Sequence, residues 1–185
     1  MSKVVLITGA SSGFGRSIAE KLSNHDFIVY GTSRNPIEIE GKYKLLKLDI
    51  TEYQDAERIT DYLIDKHGKI DILINNAGKL VNKPFENITQ QDFIDVYQVN
   101  VFSVAKVTQC MLPFMKAGSH VVTISSMGGI QGSMKFPGLA AYSSAKGAVI
   151  TLSELLAEEY KEQQIAFNVL ALGAVQTEML EEAFP

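Results

Sequence analysis

Residues 4–15 decide the fold of this chain, and they read Val4-Val5-Leu6-Ile7-Thr8-Gly9-Ala10-Ser11-Ser12-Gly13-Phe14-Gly15. The apolar run at 4–7 predicts a buried strand, and the spacing of Ile18, Ala19 and Leu22 predicts a helix after the glycines. Free backbone N–H groups at the start of a helix stabilise an anion, and glycine lets the backbone approach a pyrophosphate closely. The stretch therefore predicts a phosphate-binding turn between a strand and a helix.

The spacing of the glycines is weak support for a nucleotide site when it stands alone. Glycines at 9, 13 and 15 do not follow the G-x-G-x-x-G pattern. Arg16 follows Gly15, where a Walker A loop needs Lys and then Ser or Thr. A purely structural strand-to-helix turn remains an alternative on this motif alone.

Length and composition narrow the class of protein. A chain of 185 residues with 46% hydrophobic content can bury a core without disulfides or metal. The net charge of -4, with no block of like charges, argues against a nucleic-acid or anionic membrane partner. Cys110 is the single cysteine, no export segment precedes the first strand, and no uncharged apolar stretch approaches the ~18 residues of a membrane span. We expect a cytoplasmic protein without membrane association.

The hydrophobic pattern alternates between strands and helices along the chain. Strand-like runs occupy 3–8, 27–32, 44–49, 70–75, 119–125 and 165–171, and helical patterns occupy 14–24, 52–67, 90–116 and 139–162. Most of the strands are too continuously apolar to have one face in water. The pattern predicts an α/β fold with a doubly wound parallel sheet, the three-layer α/β/α Rossmann fold, as a single domain over 1–185.

Local signals mark several helix ends. Thr51 with Gln54, and Thr89 with Asp92, have the spacing of capping boxes. Gly68 lies where a helix should end, and so does Gly118.

A tyrosine and a lysine four positions apart are the candidate catalytic pair. The spacing occurs three times, in Tyr43 with Lys47, Tyr62 with Lys66, and Tyr142 with Lys146. Only Tyr142 and Lys146 follow the end of strand five and begin a helix, which places both on one helix face near the ligand-binding edge of the sheet. Tyr43 lies on a predicted strand, and Tyr62 lies on a helix away from that edge.

Ser126, Tyr142 and Lys146 together supply a hydroxyl, a phenol and an ammonium. Such a set can pass a proton to a carbonyl oxygen while a hydride arrives from a cofactor. A free tyrosine titrates near ~10, so Tyr142 needs a pKa lowered by ~2–3 units to act as a base, and nearby positive charges such as Lys146 push it that way. Ser126 would hydrogen-bond the same oxygen, and Ser125 competes for this role.

Three segments, in this order, closely resemble the short-chain dehydrogenase/reductase superfamily over nearly the whole chain. They are Thr-Gly-Ala-Ser-Ser-Gly-Phe-Gly at 8–15, Asn-Asn-Ala-Gly at 75–78 and Tyr-Ser-Ser-Ala-Lys at 142–146. The resemblance implies that Lys146 holds the ribose hydroxyls and that Asn100 takes part in a proton relay, whereas a buried amide that ties helix to strand is the alternative for Asn100. It implies further cofactor contacts at Gly9, Ser11, Ser12, Gly13, Phe14 and Gly15 for the phosphates, Asp49 and Ile50 for the adenine, Asn76, Ala77 and Gly78 on the ribose side, and Val175 and Thr177 for the carboxamide.

The end of strand two indicates the choice of cofactor. An acid there would hold the ribose 2′-OH of NAD, whereas a basic residue would hold the 2′-phosphate of NADP. This chain has Ser33 and Arg34 at that point, and the nearest downstream carboxylate is Glu38. We predict NADP(H) over NAD(H), with an ordinary solvated role for Arg34 as the alternative. Asn76 also has an alternative role, because its side chain could join neighbouring strand ends instead of facing the ribose.

The chain departs from the family in three places. Sixteen positions separate Ser126 from Tyr142, so the loop 127–141 is expected to carry an insertion. Leu172-Gly173 stands where the family usually has Pro-Gly, and the chain stops at Pro185, where relatives continue. We therefore expect either a fragment of a longer protein or a domain that lacks the usual C-terminal helix and last strand.

The leading function is an NADP-dependent oxidoreductase acting on a carbonyl or a secondary alcohol. A non-catalytic NADP-binding regulator of the same fold and a methyltransferase are the alternatives, and the Tyr/Lys pair argues against the methyltransferase. The substrate is expected to be a small molecule beside an apolar wall, for which the candidates are Gly128, Gly129, Met134, Phe136 and Leu139. The three histidines show no ligand spacing, so no metal is assigned. The family implies a homo-oligomer, either dimer or tetramer.

Overall fold

Among the residues that the structure describes, six parallel strands form the central sheet, in the order β3-β2-β1-β4-β5-β6. The computed structural model describes residues 2–36, 43–173 and 181. The strands are β1 Lys3–Ile7, β2 Phe27–Ser33, β3 Lys44–Lys47, β4 Ile72–Asn75, β5 His120–Ser126 and β6 Ala166–Leu172. The order reverses between β1 and β4, which confirms the predicted doubly wound sheet and creates a crevice at its carboxyl edge.

Five α-helices connect the strands in the described part of the chain. They are α1 Gly13–Ser23, α2 Tyr53–His67, α3 Gln90–Tyr97, α4 Ser103–Met111 and α5 Ala140–Glu159. No helix there is long and apolar enough to cross a membrane.

Both faces of the sheet are buried, which explains the continuous apolar runs. Val5 and Ile7 of β1 pack in one hydrophobic cluster with Ala19 of α1. Val4 and Leu6 point to the opposite face and pack in a second cluster, which includes residues of α2 and α4. A strand whose successive side chains enter two cores shows no alternation of polar and apolar residues.

The predicted helix over 90–116 is wrong as a single element. It consists of α3, a π-helical turn over Gln98–Phe102, α4 and a 3-10 turn over Leu112–Phe114. Asn100 lies in the π turn, where its amide donates to the carbonyl of Val96. The poor helix former that the sequence placed in an apolar stretch therefore coincides with a local change in helix pitch.

The helix-end signals differ in outcome. The Thr89–Asp92 capping box forms at the start of α3, and Gly68 ends α2 in the left-handed conformation. The Thr51–Gln54 box does not form, because α2 begins after Glu52 and the Thr51 hydroxyl donates to the Asp49 carboxylate. Gly118, at a φ of 84°, follows the 3-10 turn rather than an α-helix.

Candidate active site

The glycine-rich turn packs against the end of β4. Gly9 has a φ of 66°, and a β-carbon added there would lie 2.9 Å from the Cα of Ala77. A β-carbon on Gly15 would collide with the Gly9 carbonyl and the Asn76 amide. No other residue fits at Gly15, so the start of α1 lies directly against the two strand ends.

Asn76 joins the ends of β1 and β4. Its Nδ2 donates to the carbonyls of Thr8 at 3.0 Å and Gly9 at 2.9 Å. The Thr8 hydroxyl accepts the backbone N–H groups of Asn76 and Ala77 at 3.0 and 3.1 Å. The side-chain amide hydrogens of Asn76 are therefore used within the protein, as the alternative interpretation of this residue predicted.

A cleft of about 1140 Å³ opens at the carboxyl edge of the sheet. Fourteen of the predicted site residues line it: Gly9, Ser11, Ser12, Gly13, Phe14, Gly15, Arg34, Asp49, Ile50, Asn76, Ala77, Gly78, Tyr142 and Lys146. Ser126 and Asn100 are not among the lining residues. Val175 and Thr177 lie outside the described residues. The structure thus brings the glycine turn and the Tyr/Lys pair to one continuous cleft.

The end of the cleft around Asp49 is polar. One carboxylate oxygen of Asp49 accepts the backbone N–H and the hydroxyl of Thr51, at 3.0 and 2.7 Å. The N–H of Asp49 donates to Asp55 at 2.8 Å, so the residue is held from both sides. Arg34 is exposed and lines the cleft, and it forms no hydrogen bond or ion pair with any residue that the structure describes.

Lys146 is buried at the other end of the cleft. Only 5% of its surface is exposed, and its Nζ donates to the carbonyl of Ile124 at 2.8 Å. The ammonium lies 5.6 Å from the centre of the Tyr142 ring. Burial lowers the pKa of Lys146 from 10.5 to about 8. It raises the pKa of Tyr142 above its ordinary value, a direction opposite to the one that a catalytic base needs.

The other two Tyr-x-x-x-Lys pairs lie outside the cleft lining. Tyr43 is 5% exposed, and its hydroxyl donates to the carbonyl of Ala10 at 3.3 Å. The Tyr62 hydroxyl accepts a hydrogen bond from Lys44, and Lys66 lies over its ring.

The two neighbouring serines at the end of β5 have different environments. Ser125 is 3% exposed, and its hydroxyl donates to the carbonyl of Lys146 at 2.8 Å. The half-buried Ser126 hydroxyl accepts the N–H of Gly128 at 3.3 Å, and it donates to no residue that the structure describes. The Ser125 hydroxyl uses its hydrogen in the bond to α5, so Ser126 is the better candidate to donate a hydrogen bond to a ligand.

Asn100 connects the π turn to the segment after β4. It is fully buried, its Nδ2 donates to the carbonyl of Lys79 at 2.7 Å, and its Oδ1 accepts the N–H of Lys79 at 3.3 Å. These bonds fit the buried-amide alternative. The relay role remains a prediction.

Sequence reasoning missed two ion pairs made by aspartates of α3, one of which lies in the wall of the cleft. Lys79 and Asp95, which both line the cleft, meet at 2.6 Å, and Lys83 meets Asp92 at 2.8 Å. Lys83 and the Thr89 cap hold the pKa of Asp92 at about 2. The signal available in the sequence was a pair of aspartates three apart, a spacing that puts Asp92 and Asp95 on one face of α3, with two lysines upstream in the segment after β4.

A doubly wound sheet with a glycine turn facing a polar cleft defines a dinucleotide-binding fold. The short chain dehydrogenase family model matches residues 3–185. A 3-ketodihydrosphingosine reductase from Bacteroides thetaiotaomicron is 38% identical over 159 residues, which are 85% of this chain and 58% of that protein. A 3-oxoacyl-(acyl-carrier-protein) reductase FabG from Haemophilus influenzae is 33% identical over an alignment of 188 residues that covers 97% of this chain and 76% of the relative.

A solved Pseudomonas aeruginosa RhlG/NADP active-site complex superposes with a TM-score of 0.86 at 27% identity and covers 97% of this chain and 75% of that one. The chain therefore belongs to the short-chain dehydrogenase family, as the three motifs predicted, and these named relatives include reductases. The chain spans 58% of the length of the 3-ketodihydrosphingosine reductase.

Proposed function

We propose that the protein transfers a hydride between NADP(H) and a carbonyl compound or secondary alcohol. The observation that carries the proposal is the position of Tyr142 and Lys146, which share one face of α5 at the end of a cleft that begins at the glycine turn. When bound, the nicotinamide supplies or accepts the hydride. The rest of the reaction is the movement of one proton and the stabilisation of one oxygen.

Tyr142 is proposed as the proton donor in reduction. The raised pKa keeps its phenol neutral at pH 7, which suits a group that gives a proton to the developing oxyanion. In the reverse direction the phenol has to act as a base, and the positive charges of Lys146 and the oxidised cofactor would lower its pKa. Lys146 itself is about nine-tenths charged at pH 7, because its pKa is about 8.

Ser126 is proposed to hold the substrate oxygen. It lies two residues after Ile124, which lines the cleft and accepts the hydrogen bond of Lys146. A fixed hydroxyl at that point stabilises charge as it develops on the oxygen. Asn100 is proposed as a member of a proton relay, because it holds the backbone of Lys79, which lines the cleft. Val175 and Thr177 are proposed as contacts of the carboxamide.

The preference for NADP over NAD rests on Arg34. This exposed residue lines the cleft together with Ser33 and Asn35. Arginine suits a phosphate because it presents several donors in a fixed plane. The NADP complex of the Pseudomonas aeruginosa protein is consistent with this choice.

The substrate is proposed to have an apolar body. Four large apolar side chains of the loop between Ser126 and Tyr142 are exposed, namely Met127 at 45%, Ile130 at 38%, Met134 at 75% and Phe136 at 52%. The relatives named as 3-ketodihydrosphingosine and 3-oxoacyl reductases are consistent with an aliphatic ketone. We also propose a cytoplasmic homo-oligomer.

The test is a screen of carbonyl compounds and alcohols by NADP(H) absorbance, with the longest natural form that contains these residues and with residues 1–185. The variant Tyr142→Phe should abolish turnover of a responsive substrate and leave NADPH affinity within about threefold, because only the acidic hydrogen is lost. Tyr43→Phe is the matched control and should leave turnover unchanged. NADPH binding without turnover of any compound would favour the regulator, and binding of adenosyl-methionine in its place would favour the methyltransferase.

A further inference from the structure

Both ends of Lys146 are held by consecutive residues of β5. The carbonyl of Ile124 accepts the ammonium at 2.8 Å, and the hydroxyl of Ser125 donates to the backbone carbonyl of Lys146 at 2.8 Å. Ser125 and Lys146 are 3% and 5% exposed, so these bonds form away from water. A hydrogen bond in such surroundings resists local movement more than an exposed one.

The turn that follows Ser126 lies directly on the backbone of α5. A β-carbon on Gly129 would lie 2.6 Å from the carbonyl carbon of Lys146 and 2.7 Å from the nitrogen of Gly147. A β-carbon on Gly147 would lie 3.2 Å from the carbonyl oxygen of Gly129. The approach of the two backbones therefore requires glycine at 129, whereas the contact at 147 is looser.

We infer that Ser125 and Gly129 form a clamp on Lys146 and Gly147 that sets the distance between the Ser126 hydroxyl and the Tyr142 phenol. Ser126 lies between Ser125 and Gly129 in the chain, and Tyr142 lies one helical turn before Lys146. Neither Ser125 nor Gly129 lines the cleft, so both are positioning residues that act through Ser126 and Lys146. The inference rests on the proposed function, since it concerns the geometry of that reaction.

The size of the expected effect follows from the contact distances. Ordinary van der Waals contact of a β-carbon begins at 3.4 Å, so alanine at 129 must push the turn and the helix apart by about 0.8 Å. A misplacement of about 1 Å in a catalytic group costs roughly 100-fold in rate. At Gly147 the shortfall is about 0.2 Å, which neighbouring atoms can absorb.

The experiment compares four variants for kcat, KM, NADPH affinity and the primary isotope effect with deuterated NADPH. Gly129→Ala should lower kcat by about 100-fold, raise the isotope effect and leave NADPH affinity within about threefold, whereas Gly147→Ala should change kcat by less than about threefold. Ser125→Ala should lower kcat by about tenfold. Ser153→Ala is its control, because this α5 serine is also buried and loses a 2.8 Å bond to a backbone carbonyl, that of Val149.

The clamp is overturned if folded Gly129→Ala keeps a kcat within threefold of the wild type. It is also overturned if Ser125→Ala and Ser153→Ala lose the same fraction of activity, and this comparison decides the matter should Gly129→Ala fail to fold. An inactive wild type would instead contradict the proposed function. In that case the clamp is tested by crystal structures of the wild type and Gly129→Ala. The clamp predicts that the distance between the Ser126 hydroxyl and the Tyr142 phenol oxygen differs between them by at least about 0.5 Å.

Discussion

Replacing Lys146 by methionine should remove a rise of the unfolding free energy with pH, which the burial of the lysine charge produces in the wild type. The pKa of Lys146 is about 8 in the folded protein against 10.5 for the free group. Between these values the unfolded chain binds more protons than the folded chain, so the free energy of unfolding of the wild type rises with pH. The variant lacks this contribution.

The magnitude follows from the two pKa values. Relative to pH 7, the wild type should gain about 1.4 kcal/mol at pH 9 and about 2.5 kcal/mol at pH 10 from this group. At pH 7 the charge is buried with one hydrogen bond, to the carbonyl of Ile124. Methionine removes the free-energy cost of burying that charge. It also leaves the Ile124 carbonyl without a hydrogen-bond partner, which costs about 1–3 kcal/mol. We therefore expect Lys146→Met to be about as stable as the wild type at pH 7.

The assay is urea unfolding of both proteins, without cofactor, at pH 7, 8, 9 and 10. Titration of all other groups cancels in the difference between the two proteins, as long as Tyr142 remains neutral, which its raised pKa favours. The stability of the variant relative to the wild type should fall steadily above pH 8. Two parallel curves of unfolding free energy against pH would refute the conclusion that Lys146 is buried as a charged group at neutral pH.

Three further changes test the proposed cofactor contacts and the N-terminal cap of α3. Arg34→Asp should weaken NADPH binding by at least about tenfold and NADH binding much less, in titrations of both cofactors, because a like charge would meet the 2′-phosphate; unchanged NADPH affinity would contradict the assignment. Gly15→Ala should abolish NADPH binding by calorimetry, since the new β-carbon collides with the Gly9 carbonyl, and retained binding of a folded variant would count against this packing. Asp92→Asn should lower the Tm at pH 7 by roughly 2–4 °C through the weakened cap. The wild type holds the pKa of Asp92 at about 2, so the Tm difference should shrink as the pH falls from 4 to 2, and a constant difference would argue against the Lys83 pairing.

Much of the fold and part of the candidate site could be predicted because their signals are local. A β-strand that enters two cores and a helix that follows a glycine turn are visible in windows of about ten residues. The Thr89–Asp92 cap and the Gly68 helix end depend on neighbours within one turn, and both formed. Thr51 shows the limit of such signals, since its hydroxyl found a nearer acceptor in Asp49.

The sequence by itself determined the alternation of strands and helices, the parallel sheet, and the placing of the glycine turn, Tyr142 and Lys146 at one edge. Only the tertiary structure decided that Ser125 holds the helix, that Asn76 ties two strand ends, and that Lys79 pairs with Asp95. Each of these contacts joins residues that lie between 16 and 68 positions apart. Their choice of partner depends on which strand ends become neighbours and on how closely a helix approaches them, and a local pattern carries no information about either distance.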